Sequence, residues 1–428
     1  MQSKEVKLLY GRNGINLNLK DHWNADIIRK PSMPIINDIK DEVNKALNDP
    51  INSLPIDEIC SQNQSLCILV CDITRPVPNK LFLEQMILKF INAGISLENI
   101  LIIIATGLHR PASKSEIAEI IGSTWVLKNI KIENHFARDD SMHKNIGTTK
   151  QGNTVRLDKR FLDADIKIAT GLVEPHFMAG YSGGRKVIAP GIAHADTITT
   201  FHSARYMENP NATSCNLINN PLHQDQLEIV NMIGQVYAIN CVIDENRNLS
   251  YINFGEIISS HMEAVNFISS FAKVKCNNSY NTLVTSAAGA PLDGTFYQTV
   301  KGMVTPLEIL KKGGDLIITS ECSEGLGSKE FVASQKQLLK IGPNKFLENI
   351  IKKDFAAIDE WQTEMEIKSL KKGNIFLFSE GLSEEDKLYT GAVSYTHLRA
   401  HETPEHLVCP RLREKKKGGG GGGGGGGG

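Results

Sequence analysis

The sequence predicts an α/β protein of two domains with mostly parallel sheets, and three observations support this fold class. Short apolar runs alternate with helically spaced segments from Leu66 onward. The same alternation starts again after about Asn277, and a short polar stretch at 273–279 separates the two blocks. Alternation of this kind is typical of parallel, doubly wound sheets. We therefore expect an N-terminal domain over residues 1–275 and a smaller C-terminal domain over residues 276–393.

The first block contains four runs that are typical of buried strands. These strands are predicted at 66–71 (LCILVC), 100–106 (ILIIIAT), 131–135 (KIENH) and 164–173 (ADIKIATGLV). Between them, residues 79–92 have helical spacing, and Ser113 with Glu116 forms the capping-box pattern that opens a helix. Ligands bind beyond the carboxyl ends of the strands in such sheets. The residues that follow each strand are therefore the first candidates for function.

The second block repeats the pattern on a smaller scale, after a helix expected at 257–271. Its strands are predicted at 281–289, 315–322 and 374–381. Its helices are predicted at Gly294 to Lys312, at Lys329 to Lys340 and at Asn344 to Leu370. This order predicts a second parallel sheet.

Composition excludes several classes of protein. The net charge is −1, and no basic stripe with interleaved aromatic residues suggests a nucleic-acid partner. No apolar run is long enough to span a membrane and the N-terminus lacks a signal sequence, so we expect a cytoplasmic protein with no membrane partner. The eight cysteines form no CxxC pair, and we interpret Cys67 and Cys71 as small buried hydrophobic residues.

The C-terminal end has an unusual sequence. Residues 394–417 resemble a translated sequencing adapter, and Gly418 to Gly428 are an unbroken glycine run. We expect 394–428 to be a non-native, disordered tail that stands in place of the natural C-terminal segment and leaves the chain less stable. The alternative is a metal-binding tract formed by His397, His401 and His406.

Polar residues follow the first strand directly, in the order Asp72-Ile-Thr74-Arg75-Pro. An acid, a hydroxyl and an arginine in one loop suit the binding of a polar or anionic group. A structural turn with an internal ion pair explains the same residues equally well.

The second strand is followed by Thr106-Gly107-Leu-His109-Arg-Pro. Gly107 allows the chain to turn, and the strand-end position places His109 at the expected ligand edge. A surface histidine without function is the alternative.

The most informative segment follows the fourth strand and reads GLVEPHFMAGYSGGRK over residues 171–186. It places His176, several glycines and Lys186 within eleven residues. The segment fits neither the Walker A pattern nor GxGxxG, so an ordinary nucleotide site is not predicted. His202 follows in a helical segment without a second ligand at i+4, so any metal there needs donors from elsewhere, such as a cofactor.

Two further candidates lie in the second half of the chain. Gln298 and Lys301 are spaced to share a helix face, directly after Tyr297, and could grip a carboxylate across the interdomain cleft. We therefore expect the active site in that cleft. Taken alone, this motif would be an ordinary exposed helix face, and Trp361 would be an ordinary core residue.

Taken together, DxTRP, ATGLHRP, GLVEPHFMAGYSGGRK, the later His202, YQxxK and Trp361 resemble the nickel-pincer-nucleotide-dependent lactate racemase family of 2-hydroxyacid racemases and epimerases. The similarity spans about Leu66 to Trp361. It implies isomerisation of D- and L-lactate by reversible hydride transfer from C2 to the cofactor, through a pyruvate intermediate. The implied cofactor is nickel in a pyridinium-thioamide-thiocarboxylate mononucleotide, bound covalently to Lys186, with His202 as the protein ligand of the nickel.

The resemblance also implies roles for the remaining residues. His109 and His176 match the two general acid/base histidines, one for each enantiomer, which agrees with the need for proton donors on both faces of a planar intermediate. Cofactor-binding roles are implied for Asp72, Thr74, Gly183 and Gly184. Substrate-binding roles are implied for Arg75, Tyr297, Gln298, Lys301 and Trp361.

The expected partners are a small 2-hydroxy acid and the enzymes that make the cofactor. One alternative is a racemase or epimerase of another 2-hydroxy acid or of a sugar acid with the same cofactor. Another is a nickel- or cofactor-binding protein without turnover, although storage needs neither His109 nor His176. The sequence indicates no oligomeric state.

Overall fold

The structure, a computed structural model, describes residues 4–394. The glycine run and the three histidines at 397, 401 and 406 lie outside the described residues. Within the described range, no helix is both long enough and apolar enough to cross a membrane.

The described chain packs as two compact units, each assembled from separated segments. One unit, here called the large unit, takes residues 27–277 and 340–364. The other, the small unit, takes residues 4–26, 278–339 and 365–394 within the described range. The change of unit after residue 277 lies next to the boundary expected at 275/276. Two segments depart from a contiguous division, because 4–26 pack with the C-terminal half and 340–364 pack with the N-terminal half.

The large unit is built on a six-stranded sheet. Its strands, from one edge to the other, are Leu249–Glu256, Tyr237–Ile243, Ile166–Leu172, Leu66–Cys71, Ile100–Ala105 and Lys131–Asn134. All neighbours run parallel except the edge pair Tyr237–Ile243 and Leu249–Glu256, which is antiparallel. The four strands predicted in this half are confirmed, and the antiparallel edge was not predicted.

The strand Leu66–Cys71, here called the central strand, is buried because both faces of the sheet are covered. Leu66, Ile68 and Val70 are at most 1% exposed and belong to one core cluster, whereas Cys67 and Leu69 belong to a second cluster on the other face. Full burial of each large apolar side chain stabilises the fold by about 1.5–3 kcal/mol. A continuous apolar run is what a parallel strand between two helical layers requires.

The helices of the large unit connect and cover the sheet. The α-helices are Ile39–Asn48, Ile56–Ile59, Leu83–Asn92, Lys114–Ile121, Thr124–Asn129, Lys159–Leu162, Arg185–Ile188, Ala195–Phe201, Ala204–Met207, Pro221–Ile233, Ile257–Ala272 and Pro343–Ile350, with 3-10 turns at Asn79–Leu81, Leu97–Asn99 and Asp140–Met142. Short antiparallel pairs are formed by His143–Thr148 with Thr154–Asp158 and by Pro175–His176 with Gly180–Tyr181. The predicted capping box is confirmed, because Ser113 and Glu116 exchange side-chain to backbone hydrogen bonds.

The small unit carries a four-stranded parallel sheet with strands, in order, at Tyr280–Ser286, Leu310–Thr319, Gly373–Phe378 and Val393–Ser394. An antiparallel hairpin of Lys4–Leu8 and Ile15–Leu19 belongs to the same unit. Its helices are Phe296–Val304, Lys329–Ile341 and Glu384–Lys387, with a 3-10 turn at Thr305–Glu308, and most of Glu360–Lys372 packs with it.

Two predicted helices of the second half were too long. The helix expected from Gly294 to Lys312 ends at Val304, because residues 310–314 already belong to the following strand. The helix expected from Asn344 to Leu370 is broken between Ile350 and Glu360. Asp359 has φ +62°, a left-handed conformation that a continuous α-helix does not contain.

Candidate active site

Three neighbouring parallel strands end at one edge of the large sheet, and polar side chains follow each of them. Cys71 lies beside Ala105 in the register of two strands, and Leu69 lies beside Ala169 in the register with the third. The next residues along the chain are Asp72, Gly107 to His109, and Glu174 to His176. Parallel topology therefore brings these groups to one edge of the sheet, as the sequence predicts.

Asp72 and His109 form a hydrogen-bonded pair. The Asp72 Oδ2 atom lies 2.6 Å from Nδ1 of His109, and its Oδ1 atom accepts from the Thr74 hydroxyl at 2.6 Å. Burial alone would raise the pKa of Asp72, but His109, Thr74 and Arg75 together hold that pKa below its ordinary value. A carboxylate on Nδ1 places the ring proton there, so that Nε2 of neutral His109 is a proton acceptor.

Arg75 and Glu174 join the first and third loops. The Arg75 Nη1 atom donates to Oε1 of Glu174 at 2.7 Å, and both side chains are half-buried. The backbone of Glu174 is fixed by Ser182, whose amide donates to the Glu174 carbonyl at 2.9 Å. Because the contact between Arg75 and Glu174 uses one guanidinium nitrogen, it orients the arginine, and other donors of the guanidinium can bind a ligand.

His176 lies in a short hairpin and is buried at 4% exposure. Its Nδ1 atom accepts from the backbone amides of Ala179 at 3.3 Å and Met178 at 3.5 Å. An Nδ1 atom that accepts carries no proton, so neutral His176 carries its proton on Nε2. Phe177 stacks on the ring with centroids 4.9 Å apart. His109 and His176 are therefore held in opposite protonation patterns.

The glycine-rich loop approaches the neighbouring strands too closely for side chains. Gly183 and Gly184 have φ +83° and +45°. A Cβ atom on Gly171 would lie 2.6 Å from the Gly184 nitrogen, and one on Gly183 would lie 2.6 Å from the Val173 side chain. The Gly184 amide donates to Oδ1 of Asn240 at 3.0 Å. These glycines are required by the packing of the loop onto the sheet.

Lys186 follows this loop, in the short helix Arg185–Ile188. The positive charges of Lys186 and Arg75 lower the pKa of the Cys71 thiol, and the negative charges of Asp72 and Glu174 raise it. Burial raises the pKa of Cys71 to about 12, which keeps the thiol protonated and poorly nucleophilic.

His202 lies at the C-terminal end of the helix Ala195–Phe201 and is buried. Its Nδ1 atom lies 2.8 Å from the carbonyl oxygen of Ile198, to which it can only donate. This bond fixes the tautomer and gives Nε2 the lone pair that a metal ligand needs. Trp361 packs against the ring, with centroids 4.6 Å apart.

The described residues 4–394 contain no group of three or more histidine, cysteine, aspartate or glutamate side chains that could hold a metal ion. Among the histidines expected to be structural, His135 and His143 contact each other, with their Nε2 atoms 3.0 Å apart. Burial lowers the pKa of His135 to about 3, which keeps the ring neutral. A metal at His202 therefore needs most of its ligands from outside the described protein side chains.

Tyr297, Gln298 and Lys301 lie on one helix, Phe296–Val304, of the small unit. The Lys301 Nζ atom donates to Oε1 of Gln298 at 2.6 Å and lies 5.6 Å from the centroid of the Tyr297 ring. The predicted shared helix face is therefore confirmed. Their role toward a substrate stays a prediction.

Sequence reasoning missed three residues that shape the site. Glu174 and Arg185 stand inside the long motif, but were not assigned contacts. His261 was considered structural, and its ring packs against Gly184 and hydrogen-bonds to Ser182. Only the motif could have indicated the first two, because Glu174 pairs with Arg75, 99 residues away, and Arg185 reaches His261, 76 residues away.

Two family models match most of the chain. The family model of the lactate racemase N-terminal domain matches residues 10–215, and that of the C-terminal domain matches residues 275–394. Lactate racemase of Thermoanaerobacterium thermosaccharolyticum is 29% identical, with 89% of each chain covered. Lactate racemase of Lactiplantibacillus plantarum is 27% identical, with 88% of each chain covered.

Solved structures give the same result. The lactate racemase apoprotein of T. thermosaccharolyticum superimposes with a TM-score of 0.84 at 28% identity, covering 92% of this chain and 93% of the other. A Thermotoga maritima protein has a TM-score of 0.64 at 15% identity, covering 83% of this chain and 90% of the other, and shares the fold. The two family models together match most of the chain. The chain therefore belongs to the lactate racemase family of isomerases.

Proposed function

We propose that this protein racemises lactate, with His109 and His176 as the general acid/base pair. The observation that supports this proposal is the opposite hydrogen bonding of the two imidazoles. Asp72 contacts Nδ1 of His109, whereas backbone amides donate to Nδ1 of His176. Racemisation needs one group that takes up a proton and one that supplies a proton. In the neutral state His109 presents a proton acceptor at Nε2 and His176 presents a hydrogen-bond donor at Nε2. Lactate is proposed as the substrate because the named relatives are lactate racemases.

The residues fit the cofactor that the family resemblance implies. Lys186 would hold the group covalently, the loop of Gly183 and Gly184 would bind its nucleotide part with Asp72 and Thr74, and His202 would bind nickel through Nε2. The lone pair on His202 Nε2 and the lack of a protein-only metal cluster in residues 4–394 support a metal that receives its other ligands from the cofactor. When bound, the group supplies an electron-poor ring that accepts the C2 hydride of the substrate and returns it.

His109 would act at Nε2. Its Nδ1 proton is held by Asp72, so the free lone pair on Nε2 takes the proton from the substrate hydroxyl while C2 loses hydride. The charge that develops on the imidazole is stabilised by the carboxylate 2.6 Å away. Loss of the hydroxyl proton together with a hydride avoids a carbanion at C2.

His176 would serve the other enantiomer, also from Nε2. In its resting tautomer this atom holds a proton that can hydrogen-bond to the carbonyl oxygen of the keto acid. A ring that has taken up a second proton can give one proton to that oxygen as hydride returns to C2, and it returns to the neutral form. Burial at 4% exposure excludes bulk water from the ring and strengthens its hydrogen bonds.

Arg75 would bind the substrate carboxylate. Its contact with Glu174 fixes the guanidinium plane, and bidentate binding of a carboxylate suits the arginine fork. Gln298 and Lys301 would contact the carboxylate or hydroxyl, and Tyr297 and Trp361 would form the walls of the site. These four roles rest on the family resemblance.

The test is co-expression of the full chain with the enzymes that make the cofactor, followed by intact-mass analysis and a chiral lactate assay. We expect added mass on a peptide containing Lys186 and interconversion of D- and L-lactate. An unmodified lysine under these conditions would contradict the cofactor assignment. A modified lysine without lactate turnover would contradict the substrate, and the same preparation would then be tested with larger 2-hydroxy acids and sugar acids.

A further inference from the structure

Arg185 is a fully buried cation without an acidic partner. It is 1% exposed, and it is the largest of the fully buried side chains of the described chain. Its guanidinium donates to the carbonyl oxygens of Ala179 at 3.2 Å and Tyr181 at 3.3 Å, and to Nδ1 of His261 at 3.4 Å. Within residues 4–394, no carboxylate forms an ion pair with it. Burial lowers the pKa of Arg185 to about 9, which reflects how poorly this site solvates a charge.

One side of the guanidinium holds the hairpin that carries His176. Ala179 and Tyr181 flank Gly180, and Gly180 is paired with His176 across the hairpin. The amide of Ala179 donates to the His176 ring at 3.3 Å, while the carbonyl of the same residue accepts from Arg185. A single residue, Ala179, therefore connects the arginine to the imidazole.

The backbone of Arg185 leads directly to Lys186. Arg185 and Lys186 begin the same short helix, and the Lys186 amide donates to the Gly183 carbonyl at 3.0 Å. His261 closes the arrangement from the helix Ile257–Ala272, because its Nε2 atom lies 2.9 Å from the Ser182 carbonyl and near Arg185. The guanidinium is thus the point at which the hairpin, the glycine loop and the lysine helix meet.

Space filling does not explain this residue. An apolar side chain would occupy the volume without the cost of burying a charge that lacks a counter-ion. A guanidinium differs from an apolar side chain, and from lysine, in having several donors in a rigid plane. That property matches three acceptors on separate backbone and side-chain segments.

We propose that Arg185 is a positioning residue that fixes the hairpin carrying His176 relative to the helix carrying Lys186. This inference rests on the proposed roles of His176 and Lys186. Arg185 does not itself contact substrate, so its loss acts on the rate of the chemical step more than on substrate binding. The expected signature is a lower kcat with little change in KM.

The test compares Arg185→Met and Arg185→Lys with Arg160→Met as a matched control. Arg160 is also largely buried and hydrogen-bonded in the large unit, but its partners are Asp158 and Glu133. Hydrogen exchange is measured on the protein without cofactor, for the amides of residues 178–182. Kinetics are measured on co-expressed enzyme and normalised to the modified Lys186 fraction found by intact mass.

In Arg185→Met we expect exchange at 178–182 to accelerate roughly tenfold or more, since the bonds that fix both carbonyls are lost. We expect kcat to fall roughly ten- to hundredfold at a KM within about twofold of wild type. Arg185→Lys should recover thermal stability, but only part of the local protection and of kcat, because one ammonium does not replace the fork. Arg160→Met should lower thermal stability without either local effect.

Unchanged exchange at 178–182 in Arg185→Met would overturn the proposal, whatever the substrate is. Equal losses of kcat in Arg185→Met and Arg160→Met would also overturn it, because they would indicate general destabilisation. If the variant does not fold, the exchange and kinetics of Arg185→Lys decide the question by the same criteria. Failure of wild-type enzyme to convert lactate would instead contradict the proposed function and leave the exchange result valid.

Discussion

Replacing Asp72 by asparagine tests the acid–base pair most directly. The aspartate uses both oxygens as acceptors, one for the Thr74 hydroxyl and one for the Nδ1 proton of His109. Asparagine keeps the shape but has only one acceptor oxygen. If its oxygen faces Thr74, its amide group faces His109 and favours a proton on Nε2, which removes the base. If the amide is reversed, its NH2 group faces the Thr74 backbone amide, and the hydrogen bond that this amide donates to Asp72 Oδ1 is lost.

The expected decrease in kcat follows from the energy of the hydrogen bond that is removed. A hydrogen bond to a charged group contributes about 1.5–3 kcal/mol, compared with about 1 kcal/mol between neutral groups. The carboxylate contact at 2.6 Å is short, and it stabilises the positive charge that forms on His109 during proton uptake. Since about 1.4 kcal/mol corresponds to a tenfold change in rate, we expect kcat to fall by roughly 10- to 150-fold.

The assay is kcat for lactate racemisation, with each preparation normalised to its content of modified Lys186. Asp158→Asn is the matched control, because Asp158 is also buried and pairs with a cation, Arg160, at 2.6 Å. Both variants lose a buried ion pair or charged hydrogen bond, but only Asp72→Asn loses the partner of His109. A kcat for Asp72→Asn within about threefold of the Asp158→Asn value would refute the reasoning.

The same variant makes a prediction about pH. The pKa of Asp72 is lowered in the folded state, so its ionised form contributes stability above the unfolded pKa, which is lost as pH falls through the folded value. The difference in unfolding free energy between wild type and Asp72→Asn should therefore be largest near neutral pH and shrink in acid. Chemical denaturation at several pH values measures it.

Three further outcomes are expected. His109→Ala and His176→Ala should each abolish racemisation while Lys186 is still modified and nickel is retained, as measured by intact mass and metal analysis; loss of nickel in either variant would contradict the assigned roles. Gly184→Ala should lower the free energy of unfolding by about 1–3 kcal/mol in a urea titration, since its φ is +45° and the added Cβ would lie 3.0 Å from Cβ of His261. An unchanged midpoint would contradict the packing argument. Burial raises the pKa of Glu366 to about 8, so the protonated side chain stabilises the fold at low pH, and this contribution is lost as pH rises from about 4.5 through 8. Glu366→Gln should remove that pH dependence of the unfolding free energy. Parallel stability curves for the two proteins would contradict the prediction.

The sheet of the large unit could be predicted from sequence because its strands are local, continuous apolar runs. The run at 66–71 is covered on both faces, so each of its residues needed to be apolar and the signal was strong. The strand Leu310–Thr319 shows the opposite case, because its first half contains two lysines and two glycines. In this half Leu310 pairs with Tyr280 and Gly314 pairs with Gly373 of the neighbouring strands, and no periodicity of the sequence predicts such pairing.

The candidate site was predictable up to the edge of the sheet. The rule that ligands bind at the carboxyl ends of strands selected Asp72, His109 and His176. It could not select the pairs among them, because the partner of Arg75 lies 99 residues away and the partner of His109 lies 37 residues away. Such contacts depend on how the loops fold over the edge, which the sequence pattern of one strand does not encode.

The arrangement of segments in the large unit limits how this protein can be divided. Trp361 reaches the ring of His202 on a stretch, 340–364, whose two neighbouring segments belong to the small unit. A fragment ending at residue 277 would retain His109, His176 and Lys186, but it would lose the indole beside the proposed metal ligand. The chain therefore cannot be cut at a single position into two complete units. We expect insertions or deletions at either end of residues 340–364 to disturb both units at once.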